Sequence, residues 1–284
     1  MTFILVLICI FTASIQSVLR REYGRYDGVG IGFNFIQSLV SLAVFALSGL
    51  IRGLEFPASA EMYLYSLGFA AAYITAITAA LSALACGPFG ATSLIISYST
   101  VLPTFYGLIF LGEPLRATNA LGIACFLASL WLMRPDGSDG GDNKKNPRWL
   151  ILVAAAFVGN GFCSILQKAE QNALGDGYSD EFMICALTAV TLALGAASLF
   201  RRSGKIPGRA IIYPLLCGAA NGVTNLLVLI VIAYAAASVF FPMISAGQLL
   251  ASLVYAVVLY KERPRGRMYP AAALGLASLV LLNI

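Results

Sequence analysis

The chain contains 284 residues, of which 60% are hydrophobic and only 11% are charged, and its formal net charge is +5. A soluble globular protein carries about 25% charged residues, so this composition excludes a water-soluble globular domain. The apolar residues form long runs and not short alternating segments, which favours membrane-spanning helices over a membrane barrel. The positive charges lie between these runs, so they bear on membrane topology and do not indicate a nucleic-acid partner.

Ten apolar runs follow one another along the chain, and a helix needs about 20 such residues to cross a bilayer. The runs cover residues 2–19, 29–51, 61–85, 90–111, 116–133, 149–167, 181–200, 209–234, 238–260 and 268–284. A polar, glycine-rich segment at 134–148 has the composition of a linker. The sequence therefore predicts an all-α polytopic membrane protein with ten transmembrane helices, in one five-helix unit at 1–133 and a second at 149–284.

The two five-helix units resemble each other, which indicates an internal duplication. Aligning two acidic residues brings three further identical pairs into register: Glu113 with Glu262, Tyr106 with Tyr255, Ile95 with Ile244 and Thr75 with Thr224. The segments SVLRR (17–21) and SILQK (164–168) also match near the unit starts. Because each unit has an odd number of spans, the second must enter the membrane upside down. Such inverted repeats are typical of carriers whose substrate site lies at mid-depth between the halves.

The Lys and Arg residues are distributed unevenly between the connections. Fifteen of the 18 follow odd-numbered helices and three follow even-numbered helices. The positive-inside rule then places the odd-numbered connections in the cytoplasm and both chain termini outside. Arg21 and Lys168, at matching helix ends in the two units, either extend their charges to the membrane surface or attract an anionic substrate.

Neutral polar side chains inside the apolar runs are the candidates for binding a substrate. Polar groups are costly in hydrocarbon, so they usually face a bundle interior or a water-filled cavity. Asn221 and Asn225 are four residues apart and share a helix face, while Gln248 lies in the middle of its run. The eight candidates are Gln16, Asn34, Tyr73, Tyr98, Asn160, Asn221, Asn225 and Gln248. The alternative is that these groups hydrogen-bond neighbouring helices and only hold the bundle together.

Small residues form a second pattern. Gly68, Ala72, Ala76 and Ala80 recur every four positions in the third run, and Gly218 and Gly222 do so in the eighth. Such seams let helices approach closely. We also hypothesise that they are sliding surfaces during transport.

The residue inventory argues against catalysis. The chain has no histidine, and its six cysteines show no paired spacing, so we predict no metal site, no cofactor and no enzymatic activity. No Asp or Glu lies near the centre of a run, which argues against proton-coupled exchange of cations. The expected partners are the lipid bilayer and a small-molecule substrate, and the oligomeric state stays open.

Glu113 lies at a turn between two apolar runs. Pro114 can open the fifth helix, where its missing N–H costs nothing. The Glu113 carboxylate would then lie beside the positive end of that helix. A structural cap and a role in gating are both open for this residue.

The stretch PTFYGLIFLGE (103–113), followed by ALG (120–122) at the start of the fifth helix, resembles the EamA-like family of the drug/metabolite transporter superfamily. The resemblance extends over the whole chain in the number and grouping of its helices. It implies structural or gating roles for Pro103, Glu113 and Gly122.

The second unit keeps less of this pattern. Ser252 replaces the proline and Lys261 replaces the glycine before the acid, while Glu262 and Gly275 remain and take the equivalent structural or gating roles. Members of the family carry small metabolites, so the resemblance implies a carrier without naming its cargo. Their usual topology keeps both termini in the cytoplasm, which differs from the charge distribution here.

The expected function is a multi-pass carrier in a bacterial cell membrane. It would move a small polar or zwitterionic metabolite, in the direction of export, by alternating access between two inverted repeats. The alternative is a flippase or scramblase for a lipid-linked substrate on the same fold.

Overall fold

The computed structural model describes residues 2–24, 26, 30–56, 60–86, 92, 95–96, 98–113, 116–132, 147–200, 206–258 and 266–283. Within these ranges the chain is helical and contains no β-strand. The described α-helices are α1 (Thr2–Tyr23), α2 (Ile31–Arg52), α3 (Ala60–Cys86), α4 (Val101–Phe110), α5 (Ala117–Leu132), α6 (Pro147–Leu174), α7 (Ser179–Phe200), α8 (Ile212–Ile232), α9 (Ala237–Val258) and α10 (Met268–Asn283).

Five of the described helical segments are long and apolar enough to cross a membrane: Ile31–Arg52, Ala60–Ala83, Pro147–Leu174, Ser179–Phe200 and Gly208–Ile232. Large apolar side chains are exposed on several helices. Leu50 is 74% exposed, Phe110 is 75% exposed and Leu199 is 80% exposed. A water-soluble protein rarely exposes apolar patches of this kind. The chain is therefore an all-helical protein whose apolar helices are consistent with a membrane-embedded protein.

The fourth predicted run, at 90–111, is not one regular helix in the structure. A 3₁₀ turn at Tyr98–Thr100 precedes α4, and Pro103 is the third residue of α4. In a regular α-helix the N–H of residue 103 would donate to the carbonyl of Ser99. Proline has no backbone N–H, so this hydrogen bond cannot form. Hydropathy cannot detect this change, because the segment is apolar on both sides of it.

Helices of the first unit pack mainly on helices of the second. The main contacting pairs are α1–α8, α1–α9, α2–α7, α2–α8, α3–α6, α3–α7, α4–α6, α4–α9, α5–α10 and α9–α10. Smaller contacts join α2–α3, α5–α9, α6–α8 and α8–α9. The five helices of the first unit, α1 to α5, correspond in order to α6 to α10 of the second. When each helix is replaced by its counterpart, the α3–α6 contact becomes α8–α1, and the α2–α8 contact becomes α7–α3. Both of these are also contacts. The same exchange converts α1–α9 into α6–α4, which is also a contact.

The two small-residue seams lie at these contacts. A Cβ atom added to Gly159 of α6 would lie 2.8 Å from the carbonyl oxygen of Ala72 and 2.9 Å from the backbone nitrogen of Ala76. A Cβ atom added to Gly218 of α8 would lie 2.7 Å from the carbonyl oxygen of Gln37. The close helix packing predicted from the seams is therefore confirmed at these positions.

Candidate functional site

Buried polar side chains from both units meet between α1, α2, α3 and α8. Five of them are at most 8% exposed: Gln16 of α1, Gln37 and Ser41 of α2, Tyr73 of α3 and Asn221 of α8. Tyr73 lies at the middle of α3, and Asn221 lies close to the middle of α8. Buried amides and hydroxyls are costly unless they are hydrogen-bonded, so their mutual contacts decide whether this arrangement is stable.

Asn221 is the residue that joins the units. Its Oδ1 atom accepts hydrogen bonds from the Tyr73 hydroxyl at 2.9 Å and from Ser41 Oγ at 3.1 Å. Its Nδ2 atom donates to Gln16 Oε1 at 3.1 Å. One amide of the second unit therefore bonds three helices of the first. We call these residues, together with Gln37 and Thr224, the central network.

Gln37 extends the central network towards the N-terminal end of α2. Its Nε2 atom donates to the Tyr73 hydroxyl at 3.1 Å, and its Oε1 atom accepts from Arg20 Nη2 at 3.3 Å. The Cys217 thiol donates to the same oxygen at 3.4 Å. Arg20 is thus a cation at the edge of a network whose other described members are neutral.

Further hydrogen bonds extend the central network along α8 to α6. Gln16 Nε2 donates to Thr224 Oγ1 at 3.1 Å. Asn225, one turn after Asn221, donates to the Asn221 carbonyl at 2.9 Å and accepts from Gln167 Nε2 at 3.1 Å. Helices from both units therefore contribute to a continuous set of polar contacts.

Four of the eight candidate residues come together here: Gln16, Tyr73, Asn221 and Asn225. The other four lie elsewhere. Asn34 is buried in α2, and Asn160 of α6 donates to Ser99 Oγ at 2.7 Å. Tyr98 is in the 3₁₀ turn, and Gln248 is partly buried in α9.

Sequence reasoning missed Gln37, Ser41 and Arg20 as members of the site. Gln37 is three residues after Asn34, and this spacing places the two side chains near one helix face, which is the signal that could have identified it. Arg20 was assigned to a connection because a charge ended the apolar run. In the structure it belongs to α1.

Glu113 caps a helix of the opposite unit. Its Oε1 atom accepts from the backbone N–H of Ala237 at 2.8 Å, and its Oε2 atom accepts from that of Ser238 at 2.9 Å. Both N–H groups are in the first turn of α9, where no intrahelical acceptor exists. The sequence predicted a cap on α5, so the capped helix is a correction.

Two glycines explain why Glu113 reaches α9. Gly112 has a φ of +60°, which turns the chain at the end of α4. A Cβ atom on Gly107 would lie 2.9 Å from Glu113 Cδ and 3.0 Å from the Ser238 nitrogen. The missing side chain of Gly107 therefore leaves the space that the carboxylate occupies. Pro114 lies outside the described residues.

The remaining predicted structural residues lie in helix contacts where they are described. Pro103 is buried in the first turn of α4. Gly122 of α5 and Gly275 of α10 are buried, and a Cβ atom on Gly275 would lie 3.5 Å from Ser129 Oγ. Glu262 lies outside the described residues, so its predicted role stays a prediction.

A second polar cluster links α2 to the start of α7. Arg52 lies 3.6 Å from Asp180, and Ser48 Oγ donates to the same carboxylate at 3.1 Å. The backbone N–H of Glu55 donates to Glu181 Oε1 at 2.8 Å. These contacts join the units at the end of the bundle where few Lys and Arg residues lie, and we call them the end cluster.

Lys168 lies near the same end of the bundle. It is buried, and its Nζ atom donates to the carbonyl oxygen of Ile232 at 2.7 Å. Ile232 is the last residue of α8, so the ammonium group stabilises the negative end of that helix. The structure places the charge inside the protein, which corrects the expectation that it extends to the membrane surface.

A recess of about 230 Å³ lies beside the end cluster. Polar residues form one wall and aliphatic residues of α8 form another. The lining residues include Arg52, Gln171, Ser179, Asp180, Leu229 and Tyr234. Within the described ranges, no group of three or more His, Cys, Asp or Glu residues is placed to hold a metal ion.

The comparisons with known proteins bear on the fold alone. No protein-family model matches the chain, and no curated protein matches it. A solved structure described as "Crystal structure of protein" is similar, with a TM-score of 0.75 and 18% sequence identity. The similarity covers 97% of this chain and 95% of that chain. At this identity the match shows a shared fold and does not indicate an activity.

Proposed function

We propose that this chain is a carrier in the cell membrane that exports a small polar or zwitterionic metabolite. Its transmembrane helices form two inverted five-helix repeats, and the substrate binds between them at mid-depth. Alternating access of the two repeats moves the substrate across the bilayer. Ten described α-helices follow one another in the order that this proposal requires, and five of the described segments are long and apolar enough to cross a membrane.

The central network is the observation that carries the proposal. It is polar, it is buried inside a bundle with an apolar exterior, and its hydrogen bonds cross from one unit to the other. Relative motion of the units would break bonds such as Tyr73–Asn221. The released hydroxyl and amide groups could then bond a polar solute. Polar groups inside a membrane bundle commonly mark a substrate pathway.

The inter-unit contacts support the inverted repeat. Each of the main contacts α3–α6, α2–α8 and α1–α9 has a counterpart when the units are exchanged. This is the relation expected for two repeats about a pseudo-twofold axis in the membrane plane. A bundle without internal symmetry has no reason to reproduce its contacts in pairs.

The end cluster supports alternating access. It joins the units through Ser48, Arg52 and Asp180 at the end of the bundle with few positive charges. The positive-inside rule would place that end outside the cell. We propose that the end cluster is the external gate and that its contacts separate when the carrier opens outward.

Solute counterflow in proteoliposomes tests the proposed function. Vesicles with purified protein are loaded with one unlabelled metabolite at a time, and the uptake of the labelled form is measured. Asn221→Ala should reduce counterflow on the order of tenfold, which corresponds to about 1.4 kcal/mol of binding free energy. Asn172→Ala is the matched control, because Asn172 is exposed near the end of α6.

Two outcomes would contradict the carrier proposal. The first is that the wild-type protein shows no counterflow with any water-soluble metabolite. The second is that Asn221→Ala and Asn172→Ala show equal counterflow. Movement of a lipid-linked cargo alone would favour the flippase alternative.

A further inference from the structure

Arg20 is a charged residue whose side chain is directed towards the central network. It lies three residues before the end of α1, about 4.5 Å along the axis, and it contacts Gln37, about 9 Å inside α2. Gln37 is completely buried. A long cationic side chain near a helix end normally extends outwards to water or lipid headgroups. Arg20 is directed the opposite way.

The side chains that Arg20 contacts among the described residues are neutral. Its Nη2 atom donates to the neutral amide of Gln37, and its side chain also contacts the Cys217 thiol. Its Nε atom is buried without a hydrogen-bond partner among the described residues. The described carboxylates of the end cluster contact α2 and α7 at the other end of the bundle. A guanidinium offers five N–H donors and is always charged. Arg20 is partly buried, and a cation that contacts only neutral groups inside a membrane bundle is costly, so a bound anion would stabilise it.

The predicted internal duplication supports the view that the fold does not require the charge. In the matched segments SVLRR (17–21) and SILQK (164–168), Arg20 corresponds to Gln167. The Gln167 amide donates to Asn225 of α8 at 3.1 Å and also lies 4.0 Å from Met183 of α7, the helix that corresponds to α2. A neutral amide therefore serves the second unit at the position where the first unit has a cation.

We infer that Arg20, with the adjacent Gln37 amide, binds a carboxylate group of the transported solute. A guanidinium matches the two oxygens of a carboxylate in a planar, two-bond geometry. A single positive charge at the edge of an otherwise neutral network is balanced by one negative charge, which favours a carboxylate over a doubly charged phosphate. This inference rests on the proposed function, because it assigns the substrate class of the same site.

Ligand-dependent thermal stability of the purified protein tests the inference directly. The probes are small hydroxy acids, keto acids and amino acids, each paired with its neutral amide at matched ionic strength. The variants are Arg20→Gln, which copies the equivalent residue of the second unit, and Arg20→Lys, which keeps the charge. Arg116→Gln is the control, because Arg116 is exposed just before α5.

At least one carboxylate should raise the thermal stability of the wild-type protein and of Arg116→Gln. The matching neutral amide should raise it less. The apparent dissociation constant should rise about tenfold to a hundredfold in Arg20→Gln, because charge-assisted hydrogen bonds are lost. Arg20→Lys should restore part of the binding. Without a ligand, Arg20→Gln should be at least as stable as the wild type, whereas a purely structural Arg20 would make it less stable.

Three results would overturn the inference: no carboxylate stabilises the wild type, the amides stabilise it equally well, or the carboxylates bind Arg20→Gln unchanged. Counterflow separates this inference from the carrier proposal. If Arg20→Gln and the wild type carry neutral solutes and carboxylates equally, the carrier stands and the Arg20 site fails. If a carboxylate binds through Arg20 but no solute is moved, the site stands and the carrier proposal fails.

Discussion

Glu113 connects the two units through a hydrogen-bonded cap, and removing its charge should weaken the whole bundle. Its carboxylate accepts two backbone N–H bonds at the start of α9, at 2.8 Å and 2.9 Å. Glu113→Gln keeps one oxygen acceptor but loses the second and the negative charge. The amide N–H₂ would face one of the two backbone N–H donors, which it cannot bond.

The expected loss of stability can be estimated from these contacts. A hydrogen bond to a charged group contributes about 1.5–3 kcal/mol, and a charge at a helix N-terminus adds about 0.3–1 kcal/mol. Glu113 is partly exposed, so the lower part of this range applies. We expect Glu113→Gln to cost about 2 kcal/mol of unfolding free energy, or a fall in Tm of about 4 °C at roughly 2 °C per kcal/mol.

The assay is thermal unfolding of purified protein in detergent, followed by intrinsic fluorescence. The control is Glu61→Gln, because Glu61 is also an acid in the first turn of a helix but is exposed. Removing the Glu61 charge should lower the unfolding free energy by only a few tenths of a kcal/mol, because an exposed carboxylate interacts weakly with the helix dipole. Equal Tm values for Glu113→Gln and Glu61→Gln would refute the reasoning.

Three further substitutions probe the contacts between the units. Gly107→Ala should displace the Glu113 carboxylate and lower Tm by an amount similar to Glu113→Gln, and an unchanged Tm would mean that the carboxylate has room to move. Tyr73→Phe should lower the unfolding free energy by about 1–3 kcal/mol, because two buried amides each lose a partner, which denaturant unfolding in detergent measures. Gly159→Ala should cost about 1–3 kcal/mol, because its Cβ atom meets backbone atoms that cannot rotate away. In the same unfolding assay Gly208→Ala, where a Cβ atom meets nothing within 4 Å, should be neutral, and an equal loss in both variants would contradict the packing argument.

The sequence predicted the helices well because long apolar runs are a strong signal. Helix ends were predicted less well. The sixth run was expected to end at 167, but α6 continues to Leu174. The apolar run ends at Lys168 because this residue is charged. In the structure the buried Lys168 ammonium donates to the Ile232 carbonyl, and the Gln171 amide donates to the Leu229 carbonyl. These bonds satisfy the polar side chains, so the helix can continue past the charge. It ends before Gly175, which has a φ of +76°.

The candidate site was predicted in part. Spacing along one helix shows which residues share a face, and it correctly paired Asn221 with Asn225, which are hydrogen-bonded. Spacing cannot show which helix lies opposite. The partners Ser41 and Tyr73 of Asn221 come from α2 and α3, more than a hundred residues away in the chain. Arg20 was missed for a related reason, since the direction of a long side chain depends on the neighbouring helix.

Transport by a carrier that is locked at the end cluster tests the central claim most directly. Ser48→Cys and Asp180→Cys would be introduced together after replacement of the six native cysteines, because the original side chains lie 3.1 Å apart. Counterflow is measured with the pair reduced, oxidised, and reduced again. Alternating access of the two units predicts that oxidation abolishes counterflow and that reduction restores it. Unchanged counterflow with the disulfide fully formed would contradict the account.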